Sequence, residues 1–158
     1  MPFVQLTAPE GALTAEGRET IRTTLARTLL RWEGAPDTAL FRSVTWTQLN
    51  ELPPGALTTL EDDEPRFRVD VRVPEGALSE RRKAGLIGEV TAAVLAAAGL
   101  AEADALRVWV FVHEQPDGTW GAGGSVVRYA DLVALAADGQ GAGDGRGAAS
   151  GQGAGAAH

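Results

Sequence analysis

The sequence has no cysteine, two histidines and no long apolar run. The absence of cysteine excludes a disulfide framework, a thiolate metal site and a cysteine nucleophile. His113 is the only histidine outside the C-terminal tail, so we expect no metal site of the histidine type. No apolar segment approaches the length of a membrane span, and no basic stretch followed by an apolar run marks a secretory signal. We therefore expect a cytoplasmic protein without a membrane partner.

Basic residues are also scarce, with 14 Lys and Arg against 21 Asp and Glu, for a net charge of −7. This balance predicts that nucleic acid is not a partner, because the phosphate backbone would be repelled. The length of 158 residues suits one domain with a sizeable core. We expect this domain to span residues 1–137. The Gly/Ala-rich tail at residues 138–158 has no large apolar side chain and is predicted to be disordered.

The sequence does contain an internal repeat. The pentapeptide PEGAL occurs at residues 9–13 and again at 74–78, an offset of 65 positions. The apolar positions around it recur at the same offset, first in an extended stretch and then at the i, i+4, i+8 spacing of an amphipathic helix. The pattern indicates a duplication of one unit, at residues 2–57 and 67–124, joined by the charged, proline-containing segment 58–66.

Each copy predicts a strand, a helix and a second strand. Thr14 and Ser79 stand where a helix N-cap belongs, and Gly34 and Gly99 stand where each helix should end. Two such units with right-handed crossovers give an α/β fold with a βαββαβ order, in which a four-stranded sheet carries two helices on one face. A short last helix is predicted at residues 129–137, at an edge or a subunit boundary.

The last strand of the second copy predicts an oligomer. Residues 108–112 read VWVFV and are apolar at every position, which is typical of a strand buried on both faces. Two helices cover only one face of the sheet, so the other face needs a partner subunit. We therefore expect residues 108–112 to lie in a subunit interface.

Pro2 is the first candidate for chemistry. Its small size at the second position permits removal of Met1, which would leave a terminal secondary amine. An α-amino group titrates near about pH 8, and burial or a nearby cation disfavours its charged form. The neutral amine is a good general base. The structural alternative is that Pro2 only opens a strand, a position that proline tolerates.

Residues 114–124 read EQPDGTWGAGG, a turn that sets Trp120 among glycines. Together with Pro2, the PEGALT turn and the βαβ unit, this segment resembles the tautomerase superfamily, in the fused two-copy form of its 4-oxalocrotonate tautomerase branch. The resemblance covers about residues 2–124. It implies a homotrimer of fused subunits, no cofactor, catalysis by Pro2, and an apolar pocket wall supplied by Trp120.

The arginines that the resemblance implies are missing. Ala12 and Ala77 stand where the family has an arginine after the Glu-Gly turn, and Trp46 and Trp109 stand where a further arginine is expected. In the family these arginines hold the carboxylates of a dicarboxylate substrate. Trp46 and Trp109 remain candidates for substrate binding.

Other arginines could replace the missing ones. Arg42 and Arg107 are predicted to lie on strands, two or four residues from the tryptophans and potentially on the same face. Either could bind a substrate carboxylate, with Arg42 placed first because it belongs to the same copy as Pro2. Arg68 and Arg72 share the polar face of the third strand, where an arginine could also bind a carboxylate and help lower the pKa of Pro2. For each arginine, a surface ion pair is the structural alternative.

The function predicted from the sequence is a cofactor-independent tautomerase or isomerase that acts on a small α-keto or enol carboxylate. Pro2 would move the proton, an arginine such as Arg42 would hold the carboxylate, and Trp120 would line the pocket. Two alternatives stay open. One is a non-catalytic βαββαβ oligomeric binding module, and the other is a dehalogenase or decarboxylase of the same superfamily.

Overall fold

The computed structural model describes residues 2–144, with the side chains of residues 2–138. In chain order the elements are β1 (Phe3–Pro9), α1 (Ala15–Glu33), α2 (Ala39–Val44), β2 (Trp46–Leu52), β3 (Phe67–Pro74), α3 (Glu80–Ala98), a 3₁₀ helix (Glu102–Arg107), β4 (Val108–Gln115), β5 (Gly121–Ala122), β6 (Ser125–Val126) and α4 (Tyr129–Asp144). Within the described residues, no helix combines the length and the apolar character that a membrane span requires. The cytoplasmic location stays a prediction.

The last helix is longer than the sequence predicts. It continues past residue 137 to Asp144, so residues 138–144 of the tail that we expected to be disordered are helical. This segment reads DGQGAGD, and its three glycines disfavour a helix, so local propensity does not account for the extension. Residues 145–158 lie outside the described part of the chain.

The strands form one four-stranded sheet in the order β2-β1-β3-β4. β1 pairs with β2 in parallel, β3 pairs with β4 in parallel, and β1 pairs with β3 antiparallel. The helices α1 and α3 pack against each other on one face of this sheet. The predicted α/β fold, with duplicated βαβ units, is therefore confirmed.

The PEGAL sequence forms the same strand-to-helix turn in both copies. The Ala12 amide donates to the Pro9 carbonyl at 3.1 Å, and the Ala77 amide donates to the Pro74 carbonyl at 3.1 Å. The glycine of each turn has a φ near +80°, a conformation that other residues rarely adopt. The N-cap residue follows the turn directly, as Thr14 before α1 and Ser79 before α3. Its side chain accepts a hydrogen bond from a backbone amide in the first turn of the helix.

The two copies meet at a local pseudo-twofold axis. Gln5 and Asp70, which are equivalent at the offset of 65, are direct partners in the antiparallel pair. The same offset places Phe67 where the first copy has Pro2. Phe67 is 2% exposed and fills the core at the start of β3. Only the first copy therefore presents the start of the chain.

The strand β4 is covered on one face within the protomer. Val108, Val110 and Val112 point to the helices and pack on or in the core. Trp109 and Phe111 point away from them and are 66% and 39% exposed. The single protomer thus covers residues 108–112 on one face only, and burial of the other face in a subunit interface stays a prediction. Only the outward-facing side chains are available to a partner subunit, because strand residues alternate between faces.

A charged network lies on the outer face of the sheet. Asp70 is buried, and its carboxylate accepts hydrogen bonds from Arg68 at 2.9 Å and from His113 at 2.9 Å. Burial raises the pKa of Asp70, but the hydrogen bonds from Arg68 and His113 outweigh it, so the pKa is lowered overall. The guanidinium of Arg68 also lies 5.3 Å from the Phe111 ring centre. Arg68 is therefore held in a structural ion pair.

The backbones of the two helices approach closely where α1 begins and α3 ends. A Cβ at Gly17 would lie 2.1 Å from the Ala97 carbonyl oxygen. The same carbonyl accepts from the Thr14 amide at 2.9 Å and from the Thr14 hydroxyl at 3.1 Å. Any side chain at residue 17 would push the two helices apart and weaken these bonds.

We predict that Gly17→Ala lowers the free energy of unfolding by about 1–3 kcal/mol, because overpacking against backbone cannot relax. The matched control is Gly88→Ala, a helical position with no atom within 4 Å of an added Cβ. That change is expected to raise the free energy of unfolding by about 0.5–1 kcal/mol. Urea denaturation of both variants measures the difference. Equal stability of the two would contradict the close approach.

Candidate functional site

A cavity of about 670 Å³ opens where β1 and β2 begin and β3 and β4 end. The antiparallel pairing of β1 with β3 creates this arrangement, because it sets the start of one strand beside the end of the other. The residues that line the cavity are Pro2, Phe3, Val44, Trp46, Arg72, Val73, Pro74, Gln115, Thr119, Trp120, Gly121, Ala122 and Gly123.

Pro2 is buried in the wall of this cavity. Its carbonyl oxygen accepts a hydrogen bond from the Trp46 amide at 3.1 Å, which joins the start of β1 to the start of β2. Pro2 also lines a second, smaller cavity of about 180 Å³. The residue therefore stands between two cavities.

Trp120 reaches the cavity from a small hairpin that follows β4. Gly123 and Gly124 form its two-residue turn, both with positive φ, the geometry that the strand twist favours. The Val127 amide closes the hairpin by donating to the Trp120 carbonyl at 3.0 Å. The turn around Trp120 was predicted, but the hairpin was missed, although the adjacent glycines are a recognisable signal for it.

Asp117 fastens this hairpin to the last helix. Its carboxylate accepts from the Tyr129 amide at 2.9 Å and from the Arg128 guanidinium at 3.1 Å. The hydrogen bond from Tyr129 is the main reason that the pKa of Asp117 is lowered. The hairpin that carries Trp120 is thereby tied to the start of α4.

Arg72 is the cation of the cavity. It lies directly opposite Phe3 in the β1–β3 register, and its guanidinium stands 5.8 Å from the Phe3 ring centre. No hydrogen bond or ion pair to Arg72 is found among the described residues, and the side chain is exposed. It is also the only charged residue in the described cavity wall. This arginine is available to bind an anion.

The structure corrects the placement of Arg42 and Arg107. Arg42 lies on α2 and not on a strand, and its guanidinium pairs with Asp37 at 2.8 Å. Arg107 ends the 3₁₀ helix and pairs with Glu64 at 2.8 Å. Neither lines the cavity that contains Pro2. In each copy a short helix precedes the second strand, although the β-rich composition of the segment favours a strand throughout.

The two tryptophans have different surroundings. Trp46 begins β2 beside Phe3 and lines the cavity. Trp109 occupies the corresponding register position beside Arg68 in the second copy, but it does not line this cavity. It packs edge-on against Phe111, with ring centres 6.2 Å apart. Of the predicted substrate-binding residues, the structure thus brings Trp46 and Trp120 to Pro2 and leaves Trp109 on the outer face.

One carboxyl group that shares a cavity with Pro2 was missed in the sequence analysis. Glu33 is the last residue of α1, is half-buried, and lines the smaller cavity together with Pro2. Burial raises the pKa of the Glu33 carboxyl to about 7. Its position one residue before the predicted helix-ending Gly34 was the available signal. Among the described residues, no group of three or more His, Cys, Asp or Glu is placed to hold a metal ion.

Comparison with known proteins gives a family match for the second repeat. The Tautomerase family, described as "Tautomerase enzyme", matches residues 68–130, a segment that includes Arg72 and Trp120. No curated protein sequence matches the chain. The fold is shared with many solved structures.

Three of these structures illustrate the likeness. A fused 4-OT wild-type symmetric trimer is 20% identical, and the match covers 85% of this chain and 98% of that one, with a TM-score of 0.66. Pt0534 inactivated by 2-oxo-3-pentynoate is 22% identical, with 82% and 98% covered and a TM-score of 0.68. N1, a member of the cis-3-chloroacrylic acid dehalogenase family, is 20% identical, with 79% and 82% covered and a TM-score of 0.65.

The structural neighbours agree over both repeats, and the family match falls on the second repeat together with the hairpin. The resemblance inferred from Pro2, the PEGALT turn and the GTWGAGG segment is therefore confirmed: the chain has the fold of the tautomerase superfamily, and its second repeat matches the Tautomerase family.

Proposed function

We propose that the protein is a cofactor-independent tautomerase or isomerase of small enol or α-keto monocarboxylates. The observation that carries this proposal is the juxtaposition of Pro2 with Arg72 and Trp120 in one cavity of about 670 Å³. A cavity of this size with apolar walls and few polar groups is typical of a small-molecule site. Removal of Met1 leaves the Pro2 nitrogen as a secondary amine in its wall.

The proposed reaction moves one proton. The neutral Pro2 nitrogen takes the proton from the enol oxygen or from the carbon beside the carbonyl, and the electron pair left behind is delocalised over the conjugated system. Pro2 then returns the proton at another conjugated position, so atoms and charge balance over the cycle. General base catalysis of this kind contributes about 10²–10⁴-fold to the rate. Trp120 and Trp46 supply apolar wall to the cavity in which the substrate would lie.

Arg72 has two roles in this proposal. Its planar guanidinium binds the substrate carboxylate through two parallel hydrogen bonds. Its positive charge near Pro2 disfavours the protonated amine. Because Arg72 is the only charged group in the described cavity wall, a second carboxylate would be desolvated without a partner. A monocarboxylate is therefore the better substrate.

The residues of the cavity support a dehalogenase, a decarboxylase or a binding module less well. Hydration chemistry, as in a dehalogenase, benefits from a carboxylate that activates water, and none lines the main cavity among the described residues. A decarboxylase would use the protonated proline. A pure binding module would not require the buried terminal residue and the unpaired arginine to meet.

We further propose that the protein forms a homotrimer through the outer face of its sheet. Trp109 and Phe111 are exposed there in the protomer, next to the network of Asp70, Arg68 and His113. Exposed aromatic side chains on a sheet face are typical of an interface. The fused 4-OT structures with this fold are described as trimers.

One added residue ahead of Pro2 is predicted to lower kcat by about 10²–10⁴-fold, because the amine becomes an amide without a basic lone pair. The measurement is ketonisation of phenylenolpyruvate by the processed protein and by the extended protein, after mass spectrometry has established each N-terminus. Pro2→Ala keeps a terminal amine and is expected to retain partial activity. Full activity of a protein that keeps an N-terminal tag would refute the mechanism.

Arg72→Ala is predicted to lower kcat/KM for phenylenolpyruvate by about 10–100-fold, the effect of losing a charged hydrogen-bonded partner. Arg42→Ala is the matched control, since it removes the same charge outside the cavity, and its kcat/KM should stay near that of the native protein.

The same assay tests the substrate class with 2-hydroxymuconate, which has two carboxylates. The native protein should turn it over more slowly than phenylenolpyruvate. Equal or faster turnover would show that a second cation completes the site.

Trp109→Glu is predicted to convert the trimer into folded protomers, because it buries an additional carboxylate beside Arg68, which Asp70 already pairs, without touching the protomer core. Light scattering gives the mass, and circular dichroism checks the fold. Leu60→Glu is the control, as Leu60 is fully exposed and lies in the linker between the copies. An unchanged mass for the Trp109 variant would exclude this face as the interface.

A further inference from the structure

The cavity of about 180 Å³ behind Pro2 has no role in the reaction as described so far. It is lined by the end of α1, by α2, by the turn after β3 and by α4. Its lining residues are Pro2, Glu33, Gly34, Ala35, Phe41, Val44, Pro74, Ala77, Tyr129, Leu132, Val133 and Ala136. The wall is apolar except for Glu33 and the Tyr129 phenol. Two ionisable groups of this kind do not belong in an apolar space without a partner.

The elements around the cavity differ in the charges that they bring near Glu33. Helix α2 and the turn after β3 contribute only apolar side chains, and α4 contributes Tyr129. From α3, Arg82 donates to the backbone carbonyl of Glu33 at 3.4 Å. On α1 itself, the neighbouring Arg31 is paired with Glu89. Among the described residues, the Glu33 carboxyl has no hydrogen-bond or ion-pair partner of its own.

We propose that Glu33 is a positioning residue for the Pro2 amine, which it influences through the electrostatic field across the shared cavity. This inference rests on the proposed function, because it requires Pro2 to be the chain terminus. The ionised carboxylate stabilises the ammonium form of Pro2, and the neutral acid does not. Glu33 therefore governs how readily Pro2 accepts the substrate proton and how readily it gives the proton back.

The burial of Glu33 sets the pH range in which this coupling operates. With a pKa of about 7, the carboxyl ionises close to the pH range in which a terminal amine loses its proton. Two interacting groups that titrate together release their protons in two macroscopic steps that belong to the pair. Glu33 and Pro2 both contribute to the first proton loss. The second proton loss occurs at a higher pH, because the carboxylate and the ammonium group attract each other. The neutral amine should therefore appear over a broader pH range than a single ionisation gives.

Removal of the carboxylate should simplify this titration. In Glu33→Gln, Pro2 should lose its proton in one step, at a lower pH than the final step of the native protein. The rising limb of the pH profile of kcat/KM should become steeper and move toward lower pH. Glu19→Gln is the matched control, because it removes the same charge from an exposed position on α1, and its profile should match that of the native protein.

The variant is expected to fold. Burial raises the pKa of Glu33 in the folded state above its ordinary value, so ionisation lowers stability progressively as the pH rises toward 7. Glutamine has no such ionisation. The Tm of Glu33→Gln should therefore equal that of the native protein at pH 4 and exceed it at pH 8.

The test uses protein labelled with ¹⁵N-proline, in which NMR follows the Pro2 amine directly from pH 5 to pH 10, alongside kcat/KM for phenylenolpyruvate. Mass spectrometry first establishes that Met1 has been removed. A two-step Pro2 titration that becomes a single, earlier step in Glu33→Gln, but not in Glu19→Gln, would support the proposal. Identical titrations in all three proteins would overturn it.

The two readouts separate this inference from the proposed function. If the NMR titration responds to Glu33 but turnover survives an N-terminal extension, then the electrostatic coupling stands and the base mechanism fails. If turnover depends on the free Pro2 amine but its titration ignores Glu33, then the mechanism stands and the coupling is wrong. Retention of Met1 in the active protein would overturn both.

Discussion

The antiparallel pairing of β1 with β3 shapes both the sheet and the cavity. It joins the two copies into one continuous sheet through the Gln5–Asp70 pair, and it brings their helices side by side on one face. It also sets the first residues of the chain beside the last residues of β3. Pro2 and Arg72 come from different copies, and only this register makes them neighbours across the sheet.

The two copies keep the same scaffold but differ in their chemistry. Their helices and capping positions correspond at one offset, and their turns have the same hydrogen bond. The equivalent positions near the strand starts have diverged, with Pro2 in a cavity wall and Phe67 in the core. Buried positions that both copies need for packing are thus alike, while the positions that could carry a reaction are not.

Much of the fold could be predicted from the sequence, because periodicity, caps and the repeated turn are local signals. The repeat also predicted the sheet, because short connections between elements permit few arrangements of the strands. The site was predicted less completely. Pro2, Trp46 and Trp120 reach one cavity, but Arg42 and Arg107 lie elsewhere because short helices precede β2 and β4. Arg72 was only one of several candidate arginines, because its proximity to Pro2 depends on pairing between distant strands.

The hydrogen bond from the Trp46 amide to the Pro2 carbonyl ties the chain start to its own copy of the repeat. A chain has one beginning, however many times its interior is duplicated. In the proposed trimer, three such chains would contain six strand–helix–strand units but only three amino termini. Duplication within one chain thus doubles the scaffold without doubling the number of terminal amines. The second copy does not carry the N-terminus, so its equivalent residues can differ from those of the first copy and serve packing instead.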